Sequence, residues 1–186
     1  MSTERSGSAH RAIWSIPDGA TGNSARASEF NGYRIVRRTV TIAADRAEIV
    51  SYFDDASKLN RILVDVGRVE DLSSGTRTWT LKSGGNCVQL ETISVKSQPY
   101  IARVWQTIDG AKHDAQIEIN FRDAPADRGQ EVQLRMAYKQ IWGGAGDLVA
   151  KLQGIDANSA VRVALKHLKM LLETGEIATS ENRRVS

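Results

Sequence analysis

Hydrophobic and polar residues alternate most clearly in two segments, HDAQIEINF at 113–121 and QEVQLRMAYKQI at 130–141. Apolar side chains take every second position there: Ala115, Ile117, Ile119 and Phe121 in the first segment, and Val132, Leu134, Met136 and Tyr138 in the second. A period of two places successive side chains on opposite faces of a β-strand. We therefore expect two strands with one buried face and one wet face, the latter carrying Gln116 and Glu118.

Turn residues divide the preceding part of the chain into further runs that are typical of strands. The runs are YRIVRRTVTI (33–42), DVGRVEDL (65–72), TRTWTLK (76–82), CVQLETISVK (87–96) and YIARVWQTI (100–108). With the two segments above they predict a meandering antiparallel sheet of about seven strands, most of them joined by hairpin turns. In the run at 100–108, alternation leaves open whether Trp105 or Val104 faces inward.

Helical patterns occur in two places. Two short helices are expected directly after the first strand, in DRAEIVSYFDD (45–55) and ASKLNRIL (56–63), and Asp45 with Glu48 matches a capping box at the start of the first one. A long helix is expected within 147–176, where an apolar stripe recurs at helical spacing. The stripe consists of Leu148, Leu152, Val161, Ala164, Leu165, Leu168, Leu171 and Leu172.

Glycines mark an interruption and the end of the long helix. Gly154 is expected to bend or interrupt it, and Gly175 to follow its last residue as the C′ position. A curved sheet needs a cover for its apolar face, and this helix is the only long element available. We therefore expect the C-terminal helix to lie across the concave face of the sheet.

The two ends of the chain differ from its middle. Residues 1–32 are rich in Ser, Gly and Ala and have no period, which predicts a flexible N-terminal tail; its apolar exceptions are Ile13, Trp14 and Ile16. Residues 177–186 form a second polar tail. The predicted folded domain therefore spans 33–176.

Composition narrows the possible functions. The chain has 186 residues, of which 41% are hydrophobic and 25% charged, as in an ordinary globular domain. The net charge is +3 and the basic side chains are interspersed with acids, so we expect no nucleic-acid partner. Cys87 is the only cysteine, which excludes an internal disulfide and fits a reducing compartment. No apolar run could span a bilayer and no secretion signal is evident, so we expect a cytoplasmic protein.

The order of elements and several segments resemble the START/polyketide cyclase superfamily (SRPBCC, or Bet v 1-like), especially bacterial cyclase/dehydrase-like proteins. The resemblance covers residues 33–175. It is carried by VTIAADRAEIVSYFDDASKLNRIL (40–63), TRTWTLK with Trp79, YIARVWQTIDGAKHDAQIEINF (100–121) with Trp105, VQLRMAYK (132–139) with Tyr138, DLVAKLQG (147–154) and LKHLKMLLETGE (165–176). It implies an α+β helix-grip fold, in which a curved antiparallel sheet wraps around the long C-terminal helix. One departure is that KQIWGGAG follows Tyr138 where relatives carry a proline-rich turn.

The resemblance also implies a cavity between sheet and helix, which relatives use for lipids, polyketides, hormones or quinones. Our first hypothesis is therefore a module that binds a small hydrophobic molecule, with Tyr138 orienting its polar end. The candidate ligand-binding residues are Trp79, Trp105, Ile117, Leu134, Met136, Tyr138, Leu148, Leu152, Leu165 and Leu168. For Trp79 and Trp105, a place in the packed core is an equal alternative.

Two other hypotheses remain open. The first is a cyclase/dehydratase-type enzyme in which His113 and Tyr138 are the candidate catalytic residues, although a solvated histidine at the start of a strand is the simpler interpretation of His113. The second is a non-catalytic interaction domain, and a homodimer is compatible with all three hypotheses. No two histidines have metal-ligand spacing, so we expect neither a metal nor a cofactor. His167 is expected at the surface beside the apolar stripe, and a boundary histidine that caps the cavity is the alternative.

Overall fold

The computed structural model describes residues 28–30, 32–83, 86–95, 101–139 and 157–178. Its strands are β1 (Ser28–Phe30), β2 (Tyr33–Ile42), β3 (Gly67–Asp71), β4 (Thr76–Ser83), β5 (Asn86–Val95), β6 (Ile101–Thr107), β7 (Ala115–Asp123) and β8 (Gln130–Lys139). Its helices are α1 (Arg46–Asp54), α2 (Ala56–Leu63) and α3 (Ala157–Thr174), with a 3₁₀ turn at Pro125–Asp127. The strands form one antiparallel sheet in the order β1-β2-β8-β7-β6-β5-β4-β3.

This architecture confirms the helix-grip α+β fold expected from the sequence. The seven predicted strands and both short helices are present, and α3 packs along β2, on β8 and against α2. β1 is an element that the sequence analysis did not predict; it pairs with Tyr33–Ile35 and lies within the segment assigned to the N-terminal tail. Ile13, Trp14, Ile16 and Gly154 lie outside the described residues.

The core lies between the concave face of the sheet and the three helices. Its largest fully buried apolar side chains come from both layers: Ile42, Ile49, Phe53, Leu59, Ile62, Val69, Ile119, Val132 and Leu168. The β6–β7 register places Trp105 opposite Ile117, and both belong to this core. Trp105 therefore faces inward and Val104 outward, which answers the question that alternation left open.

The convex face is drier than the sequence predicted. Gln116 is 5% exposed and Glu118 1%, so the expectation of a wet face is wrong for these two side chains. Glu118 accepts a hydrogen bond from Asn120 Nδ2 at 2.6 Å and lies 3.6 Å from Arg135 Nη1 on β8. Alternation shows which side chains share a face, whereas burial also depends on cross-strand neighbours such as Arg135.

The helix ends follow the sequence only in part. Asp45 is the N-cap residue of α1, but its side chain makes no capping hydrogen bond within the described structure, so the predicted capping box is wrong. Asp55 caps α2 instead, where its Oδ1 accepts hydrogen bonds from two backbone N–H groups, those of Ser57 at 2.7 Å and Lys58 at 3.2 Å. Gly175 ends α3 as predicted, with φ of 81° and its N–H donating to the Leu171 carbonyl at 3.0 Å.

The C-terminal end of α3 is tied to the end of β2. Lys169 Nζ donates to the Thr41 carbonyl at 2.6 Å and to Glu173 Oε1 at 2.7 Å. The same carboxylate oxygen accepts the backbone N–H of Ala43 at 2.9 Å. Lys169 first, and then the Ala43 N–H, hold the pKa of Glu173 below its ordinary value. These bonds fix the position of α3 over the concave face.

Candidate functional site

A small cavity, called the inner cavity below, lies on the concave side, where the first turn of α3 approaches the sheet. Its volume is about 20 Å³, which is room for about one water molecule. It is lined by Leu81, Val88, Leu90, His113, Asp114, Ala115, Met136, Tyr138, Lys139 and Ala157. Most of this lining is apolar, and the walls come from β4, β5, β8, α3 and the approach to β7. The walls would have to move apart before a larger molecule entered.

His113, Met136 and Tyr138 are the sequence-predicted candidates that the structure brings together at this cavity. The β7–β8 register places Tyr138 opposite Ala115, two positions after His113 along the chain. Met136 and Tyr138 stand two positions apart on β8, so they share its inner face. This common face agrees with the period-two pattern of the sequence, and the role of these residues in binding stays a prediction.

His113 is more buried than its position before β7 suggested. Its Nδ1 atom is buried and has no hydrogen-bond partner in the structure described. Burial first, and then the nearby charge of Lys112, lowers the pKa of His113 from its ordinary value of 6.5. The neutral form of the imidazole is therefore favoured, while the side chain as a whole is half-buried and thus only in part the solvated histidine that the sequence predicted.

A larger groove, called the outer groove below, lies on the other side of His113, between β5 and the loop that connects β6 to β7. Its volume is about 580 Å³. It is lined by Cys87, Val88, Gln89, Leu90, Glu91, Ile108, Asp109, Gly110, Ala111, Lys112 and His113. Three of these residues, Val88, Leu90 and His113, also line the inner cavity. Nothing in the sequence pattern indicated this groove, because it depends on where two strands separate.

The two tryptophans occupy the core and do not line the inner cavity. Their ring centres lie 5.5 Å apart in an edge-to-face arrangement, and Trp79 Nε1 donates to Thr92 Oγ1 at 3.0 Å. Three other candidates, Ile117, Leu165 and Leu168, are also buried in the core. Leu134 is partly buried and packs against it. Leu148 and Leu152 lie outside the described residues.

An arginine that the sequence analysis did not single out is buried beside both tryptophans. Arg77 donates to both carboxylate oxygens of Asp71, at 2.5 and 2.9 Å, and to the Phe53 carbonyl at 2.7 Å. Its guanidinium carbon lies 5.2 Å from the centre of the Trp105 ring and 5.9 Å from that of Trp79. The only signal in the sequence was that Arg77 and Trp79 stand two positions apart in TRTWTLK and therefore share one face of the strand.

Tyr33 and His167 make further polar contacts between elements of the fold. The Tyr33 hydroxyl donates to Asp114 Oδ2; burial, followed by this contact, raises the pKa of Tyr33 to about 12. His167 is 6% exposed, with Nδ1 3.1 Å from the Ile62 carbonyl and Nε2 3.4 Å from Asp65 Oδ2. The expectation that His167 lies at the surface is wrong, because α2 packs over that side of α3.

Two features are absent from the ranges that the structure describes. Within them, no three His, Cys, Asp or Glu side chains lie close enough together to hold a metal ion. None of the helices described is both long and apolar enough to cross a membrane.

Comparison with solved structures finds similar folds. The protein DR_A0006 of Deinococcus radiodurans is 23% identical and matches with a TM-score of 0.56, over 76% of this chain and 99% of that one. The protein TTHA0849 of Thermus thermophilus is 17% identical, with a TM-score of 0.59 over 77% of this chain and 99% of that one. The major latex-like protein 151 of Panax ginseng is 9% identical, with a TM-score of 0.54 over 76% and 99% of the two chains.

No protein-family model matches the chain, and a search of curated proteins finds no match either. The three solved structures nevertheless match about three quarters of this chain. The chain therefore has a helix-grip fold similar to that of these proteins, which is the fold that the resemblance to the START/polyketide cyclase (Bet v 1-like) superfamily implies. Fold alone does not establish function, so only the residues of the candidate site can indicate what the protein does.

Proposed function

We propose that this protein binds a small hydrophobic molecule, of the lipid, quinone or polyketide type, between the concave face of the sheet and α3. The observation that supports this most directly is the composition of the inner cavity. Leu81, Leu90 and Met136 line it together with the ring of His113 and with Tyr138. An apolar enclosure with a few polar groups is the usual form of a small-molecule site.

The proposal requires the cavity to enlarge. A ligand of this kind needs several hundred Å³, well above the present volume of about 20 Å³. Met136 is the side chain best suited to give way, because a methionine has three rotatable bonds and no branch. Replacing it with alanine should enlarge the cavity further and leave the surrounding elements in place.

Two variants of one probe-binding experiment test the proposal. Met136→Trp should fill the cavity and abolish binding of an uncharged fluorescent probe for apolar sites, whereas Met136→Ala should bind the probe at least as tightly as the wild type. Ile93→Trp is the matched control, because Ile93 lies on β5 and is 37% exposed. Thermal unfolding checks that each variant is folded, since overpacking costs about 1–3 kcal/mol. Equal probe binding by all four proteins would contradict the proposed location.

The second candidate function is a cyclase or dehydratase, and one observation favours it. His113 and Tyr138 line the same cavity, and a neutral imidazole beside a phenol suits proton transfer within a shaped site. Full activity of a His113→Ala variant on an aromatic polyketide-type substrate would count against this role. An interaction role, a homodimer, a cytoplasmic location and the domain limits 33–176 stay predictions.

A further inference from the structure

The inner cavity and the outer groove share three lining residues near the place where the sheet opens between β5 and β6. β5 pairs with β4 from Asn86 to Ile93, but its register with β6 covers only Thr92 to Val95. One more hydrogen bond follows, from the Ile108 N–H to the Glu91 carbonyl at 3.0 Å. Beyond it β5 and the loop that follows β6 separate, and the groove of about 580 Å³ occupies the space between these two segments. That volume lies within the range of small-molecule sites.

His113 lines both spaces, as do the apolar side chains of Val88 and Leu90. Its Nδ1 is buried without a partner among the described residues. Buried polar atoms in native proteins are almost always hydrogen-bonded, and leaving one unpaired is costly. The structure therefore holds an unsatisfied buried nitrogen on a side chain that lines both spaces.

The charges around the outer groove indicate what kind of group would meet this nitrogen. Lys112 contributes one positive charge, while Glu91 and Asp109 contribute two negative charges, and all three side chains are exposed. A carboxylate or phosphate would thus meet a rim with an excess of acid. A hydroxyl or carbonyl group can hydrogen-bond to an imidazole without this repulsion.

We propose that the ligand is amphipathic, with its apolar body on the concave side and a neutral hydroxyl or carbonyl group that hydrogen-bonds to His113 Nδ1 at the opening between β5 and β6. This inference rests on the proposed function and adds the class of ligand and its orientation. The polar end points through the sheet into the outer groove, which leaves room there for further substituents.

Displacement of the uncharged fluorescent probe by ligands of equal chain length tests this orientation. With the wild-type protein, 1-dodecanol and 2-dodecanone should displace the probe at lower concentration than dodecanoate. His113→Phe should weaken binding of the alcohol and the ketone about tenfold, the effect of one lost hydrogen bond, while the affinity for the probe is unchanged. His113→Asn places an amide near the position of Nδ1 and should restore part of the loss. Lys112→Gln is the control and should keep the preference for the alcohol.

The outcomes separate the two proposals. If Met136→Trp abolishes probe binding but His113→Phe binds dodecanol like the wild type, the cavity proposal stands and the role of His113 is refuted. If dodecanoate binds most tightly, the neutral class of ligand is refuted. If the wild type does not bind the probe or any of the three ligands, both proposals fail.

Discussion

Replacing Arg77 with methionine tests whether its buried guanidinium group holds α1 against the sheet. The Arg77 side chain is 8% exposed, and the Phe53 carbonyl that it contacts belongs to the last turn of α1. Carbonyls at the end of a helix have no partner within the helix, and a cation there also interacts favourably with the helix dipole. Arg77 thus joins α1 to Asp71 at the end of β3 through one side chain.

We expect Arg77→Met to lower the free energy of unfolding by about 3 kcal/mol. The Asp71 carboxylate is 46% exposed and can be rehydrated, so loss of the ion pair accounts for only about 1 kcal/mol. The Phe53 carbonyl, left without this partner, contributes about 1 kcal/mol. The lost contacts with the Trp79 and Trp105 rings together contribute about 1 kcal/mol more. Arg77→Lys keeps the charge but not the planar fork, so we expect about half of the loss.

Urea unfolding followed by tryptophan fluorescence measures this change, and Arg68→Met is the control. Arg68 lies on β3 and pairs with Glu70 at 3.4 Å, but the two side chains are 60% and 56% exposed. Exposed pairs contribute little, so the control should change the free energy of unfolding by less than about 0.5 kcal/mol. If Arg77→Met is no more destabilising than the control, the argument from burial is refuted.

The remaining predictions concern the turns and the titrating groups. Gly129→Ala should lower the free energy of unfolding in urea by about 3 kcal/mol, because φ is 95° and an added Cβ would lie 2.1 Å from a backbone oxygen. Gly110→Ala should lower it by only about 1 kcal/mol, because φ is 78° but an added Cβ would meet open space. Glu173 has a lowered pKa, so its stabilising effect is present above its ordinary value of 4.5 and lost as pH falls through the folded pKa; acid unfolding of Glu173→Gln should therefore be less steep. NMR titration should place the pKa of His113 below 6.5, and stability should fall as the pH drops from 6.5 through that value; a pKa at or above 6.5 would contradict the burial of its ring.

Local periodicity was enough to predict most of the fold. The strands β7 and β8 alternate over nine and ten residues, and Gly175 supplies a left-handed end for α3, so each could be recognised without its neighbours. β1 escaped prediction because its three residues are too few to show a period. The inward side of Trp105 needed the register with β7, which a single strand does not contain.

The positions of the candidate residues could be predicted only where they depend on the alternation of side chains along one strand. Met136 and Tyr138 follow from alternation along β8, and they do line the inner cavity. The burial of Glu118 and His167 depends on Arg135 and α2, which are distant in sequence. Long-range packing of this kind leaves no period in the chain, so both residues were misplaced.

Native mass spectrometry of the purified protein tests the central proposal most directly. The account predicts an excess mass over the 186-residue chain that disappears on denaturation, and solvent extraction should release an apolar compound carrying a hydroxyl or carbonyl group. Met136→Trp should carry less of this compound than the wild type, and Ile93→Trp the same amount. A wild-type protein that is free of bound compound and takes up neither dodecanol nor the probe would contradict the account.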